Sequence, residues 1–342
     1  MNVGLIGCGR IAEGHMTVYQ NIKNIRVIAA SDINFEKAKA LANKYKISHV
    51  FKNYTDLLEF KELDFIDICT PTSSHASISC DAAEYGHNIL LEKPMALSSN
   101  ECEKIIHAVK RHDVNLCVCH NQLFFPAMQK AKTMLDSGHY DMVSFRTSIR
   151  ENPEMFNVPA WNVSPEEKGI IWEVGCHPAY LHLNFLKEIK EVYAIGKRIK
   201  YPVIDEFAVF LLSSGKTYGI IEVSWLSKET EKVYEINCSD GKRAFMIASP
   251  PYANQGYETL LEKTGIAESS FYSDIKKVLQ HFKKTGNKLG YYIGHYYLIN
   301  DYIESLKKGA PTPVPPEEGK KTIKLLECIE ESLNTNRTIL VN

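Results

Sequence analysis

Three segments carry residue types whose spacing suits chemistry on a bound small molecule. The first is Gly7-Cys8-Gly9-Arg10-Ile11-Ala12, which follows a short apolar strand, Asn2 to Ile6, and opens a helix. Gly7 allows a turn too tight for a side chain. Gly9 has no Cβ, so a pyrophosphate can approach the backbone, and Ala12 lets the helix pack closely on the sheet. The N–H groups at the helix start, from Arg10 and Ile11 onward, would hold the pyrophosphate. A second apolar strand, Ile25 to Ala30, ends at Ser31-Asp32-Ile33, with Asp32 placed 23 residues past Gly9. A carboxylate there can accept bonds from both ribose hydroxyls. Strand, Gly-x-Gly-x-x-Ala turn, helix, strand and acid form a dinucleotide fingerprint in context. The other reading is a glycine-rich turn in some different doubly wound sheet.

The second segment is Glu92-Lys93-Pro94, at the end of the strand Asn88 to Leu91. Open α/β sheets bind ligands at the carboxyl ends of their strands, which puts Lys93 near the nicotinamide end of a dinucleotide. An ordinary surface lysine before a turn is the alternative. The Lys93–Pro94 bond is expected to be cis, an option open to X-Pro bonds. Thr70-Pro71-Thr72 closes another parallel strand, and its backbone and hydroxyls can line the cofactor. His75 joins that lining or simply begins the next helix.

The third segment runs from Gly169 to His177. Glu173 and His177 stand four apart, on one face of a helix, within reach of each other or of a common ligand. Alone, they read equally as a structural pair. Asn121 ends the last parallel strand at the domain crossover and faces the cleft. Trp161, Trp172, Tyr291, Tyr292 and His295 are candidate walls of a substrate pocket, or core packing. Cys176, His177 and His182 have no further ligand cluster nearby, so no metal is expected.

The elements that position these residues follow from patterning. Residues 1–119 alternate strand and helix, which means a parallel sheet with helices on both faces: an N-terminal Rossmann domain, doubly wound. Residues 120–342 change character. Strands with period-2 patterning cover 142–149, 192–199, 207–212, 218–224 and 233–238, with turn signals at Ser213 to Lys216 and Ser239 to Lys242. Helices are expected at 126–137, 173–187, 274–285, 292–308 and 318–334. The second domain is therefore α+β, with a mostly antiparallel open sheet, and its C-terminal helices can pack back on the first. Pro311 to Pro316 reads as a linker.

Composition narrows the class. The chain has 342 residues, 44% of them hydrophobic, with a net charge of -1. Near-neutral charge gives no electrostatic case for nucleic acid or an anionic membrane. No apolar run is long enough to span a bilayer. Nine cysteines at irregular spacing, without a Cys-x-x-Cys pair, suit reduced thiols in a cytoplasmic protein. The N-terminus reads as a strand and not as a signal peptide.

Taken together, these features resemble the Gfo/Idh/MocA oxidoreductases, the superfamily of glucose–fructose oxidoreductase and inositol dehydrogenase. The resemblance covers nearly the whole chain. Its elements come in the family's order: Gly7-x-Gly9-x-x-Ala12, Asp32, Thr70-Pro71 with His75, Glu92-Lys93-Pro94, and Glu173-x-Gly175-x-His177. The Glu-Lys-Pro element is the most specific. The resemblance implies Lys93 and His177 as a catalytic pair, with Glu173 standing where the family usually has Asp. Tyr180 stands where many members have a second Asp. The stretch Asn121 to Pro126 keeps the family's Asn and Pro without its usual arginines.

The implied activity is hydride transfer between NAD and a secondary alcohol or ketone of a sugar, polyol or inositol-like compound. His177 would be the general base, Lys93 would stabilise the oxyanion, and Glu173 would orient His177. Asp32, followed by Ile33 with no arginine to receive a phosphate, favours NAD over NADP. The alternatives are a redox-neutral, NAD-dependent glycosidase-type enzyme and a non-catalytic NAD-binding sensor. A homodimer or homotetramer is expected, joined through the second domain's uncovered sheet face, with Tyr218, Ile220 and Val223 assigned to it.

Overall fold

The computed structural model describes residues 1–342 apart from 157–159, 187, 229, 240, 242, 249–257, 263–288, 290–291 and 342. The chain divides into two compact units. The first is Met1–Asn121 with Tyr292–Ile323, and the second is Gln122–Tyr291 with Lys324–Asn342.

The first unit alternates β1 (Asn2–Ile6), α1 (Arg10–Tyr19), β2 (Arg26–Ser31), α2 (Phe35–Tyr45), β3 (His49–Phe51), α3 (Tyr54–Leu58), β4 (Phe65–Ile68), α4 (His75–Glu84), β5 (Asn88–Leu91), α5 (Ser99–Arg111) and β6 (Leu116–Val118). All six strands are parallel, in the order β3-β2-β1-β4-β5-β6. The order reverses between β1 and β4, and an open sheet takes its ligands at such a switch point. Every residue of β4 is buried, as expected of a parallel strand covered on both faces. Ser98 caps α5: its Oγ accepts the Glu101 N–H at 3.3 Å, and Glu101 returns a bond to the Leu97 N–H at 2.9 Å.

The chain comes back to this unit at the helix Ile293–Lys308. Tyr302 packs edge-on to Phe65 at 5.6 Å, and Tyr292 lies over Gly14. A Cβ on Gly14 would fall 2.4 Å from the Tyr292 ring, so α1 must carry glycine there. The proline stretch at 311–316 is not a free linker. Val314 is buried, and its carbonyl accepts the Val118 N–H at 3.0 Å, which fastens the stretch to the end of β6.

The second unit holds α6 (Pro126–Asp136), β7 (Met142–Arg150), α7 (Gly169–Glu173), α8 (Cys176–Phe185), β8 (Ile189–Lys197), β9 (Glu206–Ser213), β10 (Tyr218–Ser224), β11 (Glu231–Cys238), β12 (Arg243–Ala248), β13 (Glu258–Glu262) and β14 (Ile339–Leu340). Its sheet runs β13-β12-β11-β7-β10-β9-β8-β14, with β7–β10 the parallel pair and the other neighbours antiparallel. One face is buried. Phe145 packs on His182 and Phe185 of α8, with ring centroids 4.5 and 4.8 Å away. Gly219 lies beneath His182, where a Cβ would come within 2.5 Å of the ring.

The opposite face is exposed, and strand alternation assigns Tyr218 and Ile220 to it. Val223 is out of phase with them and is buried on the core side, which corrects its assignment. The strands β12, β13 and β14 had no clear period-2 signal in the sequence. The helix expected at 274–285 lies outside the described residues, whereas 292–308 and 318–334 are helical. Among the described residues no helix is long and apolar enough to cross a membrane.

Candidate active site

The fingerprint turn has the geometry its glycines imply. Gly7 adopts φ +90°, and a Cβ there would strike the Cys69 carbonyl oxygen at 2.5 Å. Around Gly9 nothing would meet a Cβ within 4 Å, which leaves the space a pyrophosphate needs. The start of α1 has no side-chain cap, and the partial positive charge of a helix N-terminus favours an anion there. Arg10 is exposed and Ile11 half-buried beside it, while Ala12 is fully buried against the sheet.

Asp32 locks this turn to the end of β2. Its Oδ2 accepts the Cys8 N–H and its Oδ1 accepts the Asn34 N–H, each at 2.8 Å. Each carboxylate oxygen keeps a second acceptor position for a ribose hydroxyl. Burial, and then Asp32, push the Cys8 thiol up to about 12, so it stays neutral. Ile33 is 89% exposed, a bare apolar side chain beside the acid. These features together fit a dinucleotide.

Thr70 is half-buried and Pro71 exposed at the end of β4, and Thr72 is buried in the following turn. His75 does not line the surface. It is buried, with Nδ1 at 2.8 Å from the Pro94 carbonyl oxygen and Nε2 at 3.0 Å from that of Thr70. It ties the Thr70 loop to the Lys93–Pro94 turn from below, which corrects its assignment as a cofactor contact. The Lys93–Pro94 bond is cis.

Lys93 is half-buried next to a cluster of buried ionisable groups. Glu92 Oε2 accepts the Lys93 backbone N–H at 3.1 Å. Glu92 Oε1 lies 2.9 Å from His15 Nε2 and 3.6 Å from His295 Nε2. His15 Nδ1 lies 2.8 Å from Asp67 Oδ2, which also accepts the Tyr19 hydroxyl at 2.7 Å. Asn121 Nδ2 donates to His295 Nδ1 at 3.4 Å, and the Tyr292 ring stands edge-on to His295 at 5.6 Å. The fold thus gathers Lys93, Asn121, Tyr292 and His295, four expected site residues from three separate stretches of the sequence, around Glu92. Burial, helped by Lys93 and His15, keeps His295 below the usual histidine range in spite of Glu92.

His15 and Asp67 were not singled out in the sequence. The signal was there, because Asp67 interrupts the apolar strand Phe65-Ile66-Asp67-Ile68 and His15 lies on the buried face of α1. Charged groups in such places need partners.

In the second unit, Glu173 and His177 do not share a helix. Glu173 closes α7, Gly175 intervenes, and Cys176 opens α8. The junction is tightly packed: a Cβ at 175 would lie 2.5 Å from the Ile171 carbonyl oxygen and 3.0 Å from Phe207. The hydroxyl beside the His177 ring belongs to Tyr180, with Nδ1 and Oη 2.8 Å apart. Tyr180 Oη also accepts the Gln122 N–H at 3.1 Å, and Gln122 Oε1 accepts the Tyr234 hydroxyl at 2.8 Å. His177 is half-buried at the end of this line of polar groups. Trp172 is no pocket wall: it is 1% exposed, with the Lys168 ammonium 4.0 Å from its ring centre. The side chain of Trp161, and all of Tyr291, lie outside the described residues.

Comparisons with known proteins agree with this architecture. The model for the oxidoreductase family with an NAD-binding Rossmann fold matches residues 1–120, and the GFO/IDH/MocA C-terminal domain model matches residues 128–243. The uncharacterized oxidoreductase YrbE of Bacillus subtilis is 31% identical over 204 residues, a match spanning 59% of this chain and 59% of that relative. Myo-inositol 2-dehydrogenase of Thermotoga maritima is 21% identical over 356 aligned positions, covering 99% of this chain and 98% of the relative. Among solved structures, the WlbA dehydrogenase from Bordetella pertussis, in complex with NADH and UDP-GlcNAcA, superposes with a TM-score of 0.84 at 19% identity, covering 100% of this chain and 98% of the other. With the two family models together matching most of the chain, the protein belongs to the Gfo/Idh/MocA oxidoreductases, and its first unit is an NAD-binding Rossmann domain.

Proposed function

We propose that the protein is an NAD-dependent dehydrogenase acting on a secondary hydroxyl of a sugar, polyol or inositol-like compound. One observation carries the reading. A half-buried lysine, Lys93, follows the carboxyl end of β5 in an NAD-binding unit and is seated on an anchored carboxylate. When bound, NAD supplies the hydride acceptor. Gly7, Gly9 and the α1 N-terminus would hold its pyrophosphate, and Asp32 would hold a ribose.

The remaining work falls to side chains of this chain. Lys93 places its ammonium against the substrate oxygen as negative charge develops there. At about 4 Å and an effective dielectric near 20, one such charge pair is worth roughly 4 kcal/mol. His177 takes the hydroxyl proton at Nε2, which requires Nδ1–H to donate to Tyr180 Oη. Tyr180, itself held by the Gln122 N–H, thus does the orienting first assigned to Glu173. Asn121 and His295 complete the polar wall beside Lys93. Myo-inositol and UDP-GlcNAcA, named in the relatives above, support a substrate of the sugar or inositol type.

The protein works as a homo-oligomer. Tyr193, Ile195, Phe210 and Leu212 are 42, 54, 41 and 40% exposed on the open sheet face, an apolar surface suited to a second copy.

The test mixes protein and NAD with myo-inositol, scyllo-inositol, D-glucose, D-xylose and UDP-GlcNAcA and follows NADH absorbance. The proposal expects NADH from at least one of them, and about 10²–10⁴-fold slower formation with His177→Ala. Undiminished turnover in His177→Ala would remove His177 as the base.

A further inference from the structure

We propose that His15 is a positioning residue for Lys93: a fixed imidazolium whose Nε2–H holds Glu92 so that its other carboxylate oxygen anchors the Lys93 backbone. The inference rests on the reading of Lys93 as the reactive lysine.

His15 is completely buried on α1, with a carboxylate at each ring nitrogen: Asp67 at 2.8 Å and Glu92 at 2.9 Å. Ionised carboxylate oxygens only accept hydrogen bonds, so both nitrogens must carry protons. The same argument bears on the cation-like grouping of His15, Glu92, Cys119 and His295, whose donor atoms lie within 4.8 Å of one another. An imidazolium has no lone pair for a metal, so His15 acts there as a charge and not as a ligand. Burial opposes the charge on His15, and Asp67 and its neighbours overcome it, holding the ring well above the usual histidine range. Burial likewise opposes ionisation of Glu92, and His15 and then His295 hold it well below the usual carboxylate range.

The two carboxylates have different duties. Asp67 is satisfied within the interior, by His15, by the Tyr19 hydroxyl and by the Cys69 thiol at 3.5 Å. Glu92 divides its oxygens, Oε1 to His15 and Oε2 to the Lys93 N–H. Breaking one side of a buried charge pair leaves an uncompensated charge. Without His15, Oε1 would be released one residue before Lys93 and would compete for its ammonium. Asp67 stands one step farther off, so its loss should weaken the fold without moving Lys93.

Nitrogen-15 NMR of the full-length, NAD-bound protein labelled at histidine and lysine tests this. His15 is assigned by its absence in His15→Gln, and Lys93 by its absence in Lys93→Met. Both His15 ring nitrogens should stay protonated from pH 6 to 9. The Lys93 side-chain signal should shift in Glu92→Gln and His15→Gln but hold its place in Asp67→Asn, even though Asp67→Asn lowers the thermal midpoint. A neutral His15 at pH 7 overturns the proposal. So does a Lys93 signal that moves equally in all three variants, or in none. If His15→Gln does not fold, the wild-type histidine titration and Glu92→Gln still decide. Unchanged NADH production by Lys93→Met would instead overturn the functional reading and leave these spectra intact.

Discussion

At Asp32 a single carboxylate clamps the turn, and the same clamp gives it a predicted second role in cofactor choice. Its oxygens clamp the backbone at Cys8 and Asn34, so it cannot swing aside to admit a 2′-phosphate. A phosphate charge about 4 Å away would meet roughly 4 kcal/mol of repulsion at an effective dielectric near 20. NAD should therefore be strongly preferred over NADP in kcat/KM. Asp32→Ala should narrow the gap, at some cost in stability from the unclamped turn. Equal wild-type efficiency with both cofactors would refute this role. The candidate site residues Gly7, Asp32, Lys93 and His177 were legible because they occur at telling positions in the sequence. The supports that come from afar were not, because His15 reaches Glu92 and Gln122 reaches Tyr180 by folding over long separations, which no local pattern records, whereas Tyr180 stands only three residues past His177. Asp67 was the exception, a charge inside an apolar strand that already announced a buried partner.

Among the elements, alternation made the six parallel strands and their helices readable. The helix expected through Glu173 and His177 is interrupted at Val174 and Gly175, where a Cβ on 175 would meet the Ile171 carbonyl oxygen at 2.5 Å and Phe207 of β9 at 3.0 Å. The proline stretch failed for a related reason. Its carbonyls can still accept hydrogen bonds, so it seals the end of β6 where a free linker was expected.

That strand end also bears on acid stability. His120, just past β6, is buried, which drives it from 6.5 down to about 3, and burial also lowers His295. The unfolded chain takes up these protons below about pH 6.5, whereas the folded chain takes them up only at lower pH, for His120 near 3, so stability falls as pH falls. Each such histidine costs on the order of 1.4 kcal/mol per pH unit within its window. His15, protonated in both states below 6.5, adds no slope there; its contribution is lost only as pH rises through its raised folded value. Glu92 begins to lose its contribution only below about 4.5. The urea midpoint followed by circular dichroism should therefore drop clearly between pH 7 and pH 5. Equal midpoints would mean that these histidines are not held neutral.

For the whole molecule, the exposed apolar sheet face predicts self-association. Light scattering at micromolar concentration should report a dimer or tetramer, and Phe210→Lys should shift the population toward monomer, since it places a charge within the exposed apolar patch. A monomeric wild-type protein would count against it.

The central claim is that a hydride leaves a CH–OH carbon for the nicotinamide with Lys93 stabilising the oxygen. Its most direct test is mass spectrometry of the reduced cofactor after incubation with carbon-deuterated myo-inositol, scyllo-inositol, D-glucose, D-xylose and UDP-GlcNAcA. The wild-type protein should yield NADH carrying one deuterium from at least one compound, and Lys93→Met should yield about 10²–10⁴-fold less. Reduced cofactor without deuterium, or none from any compound by a wild-type protein that binds NAD, would contradict the account.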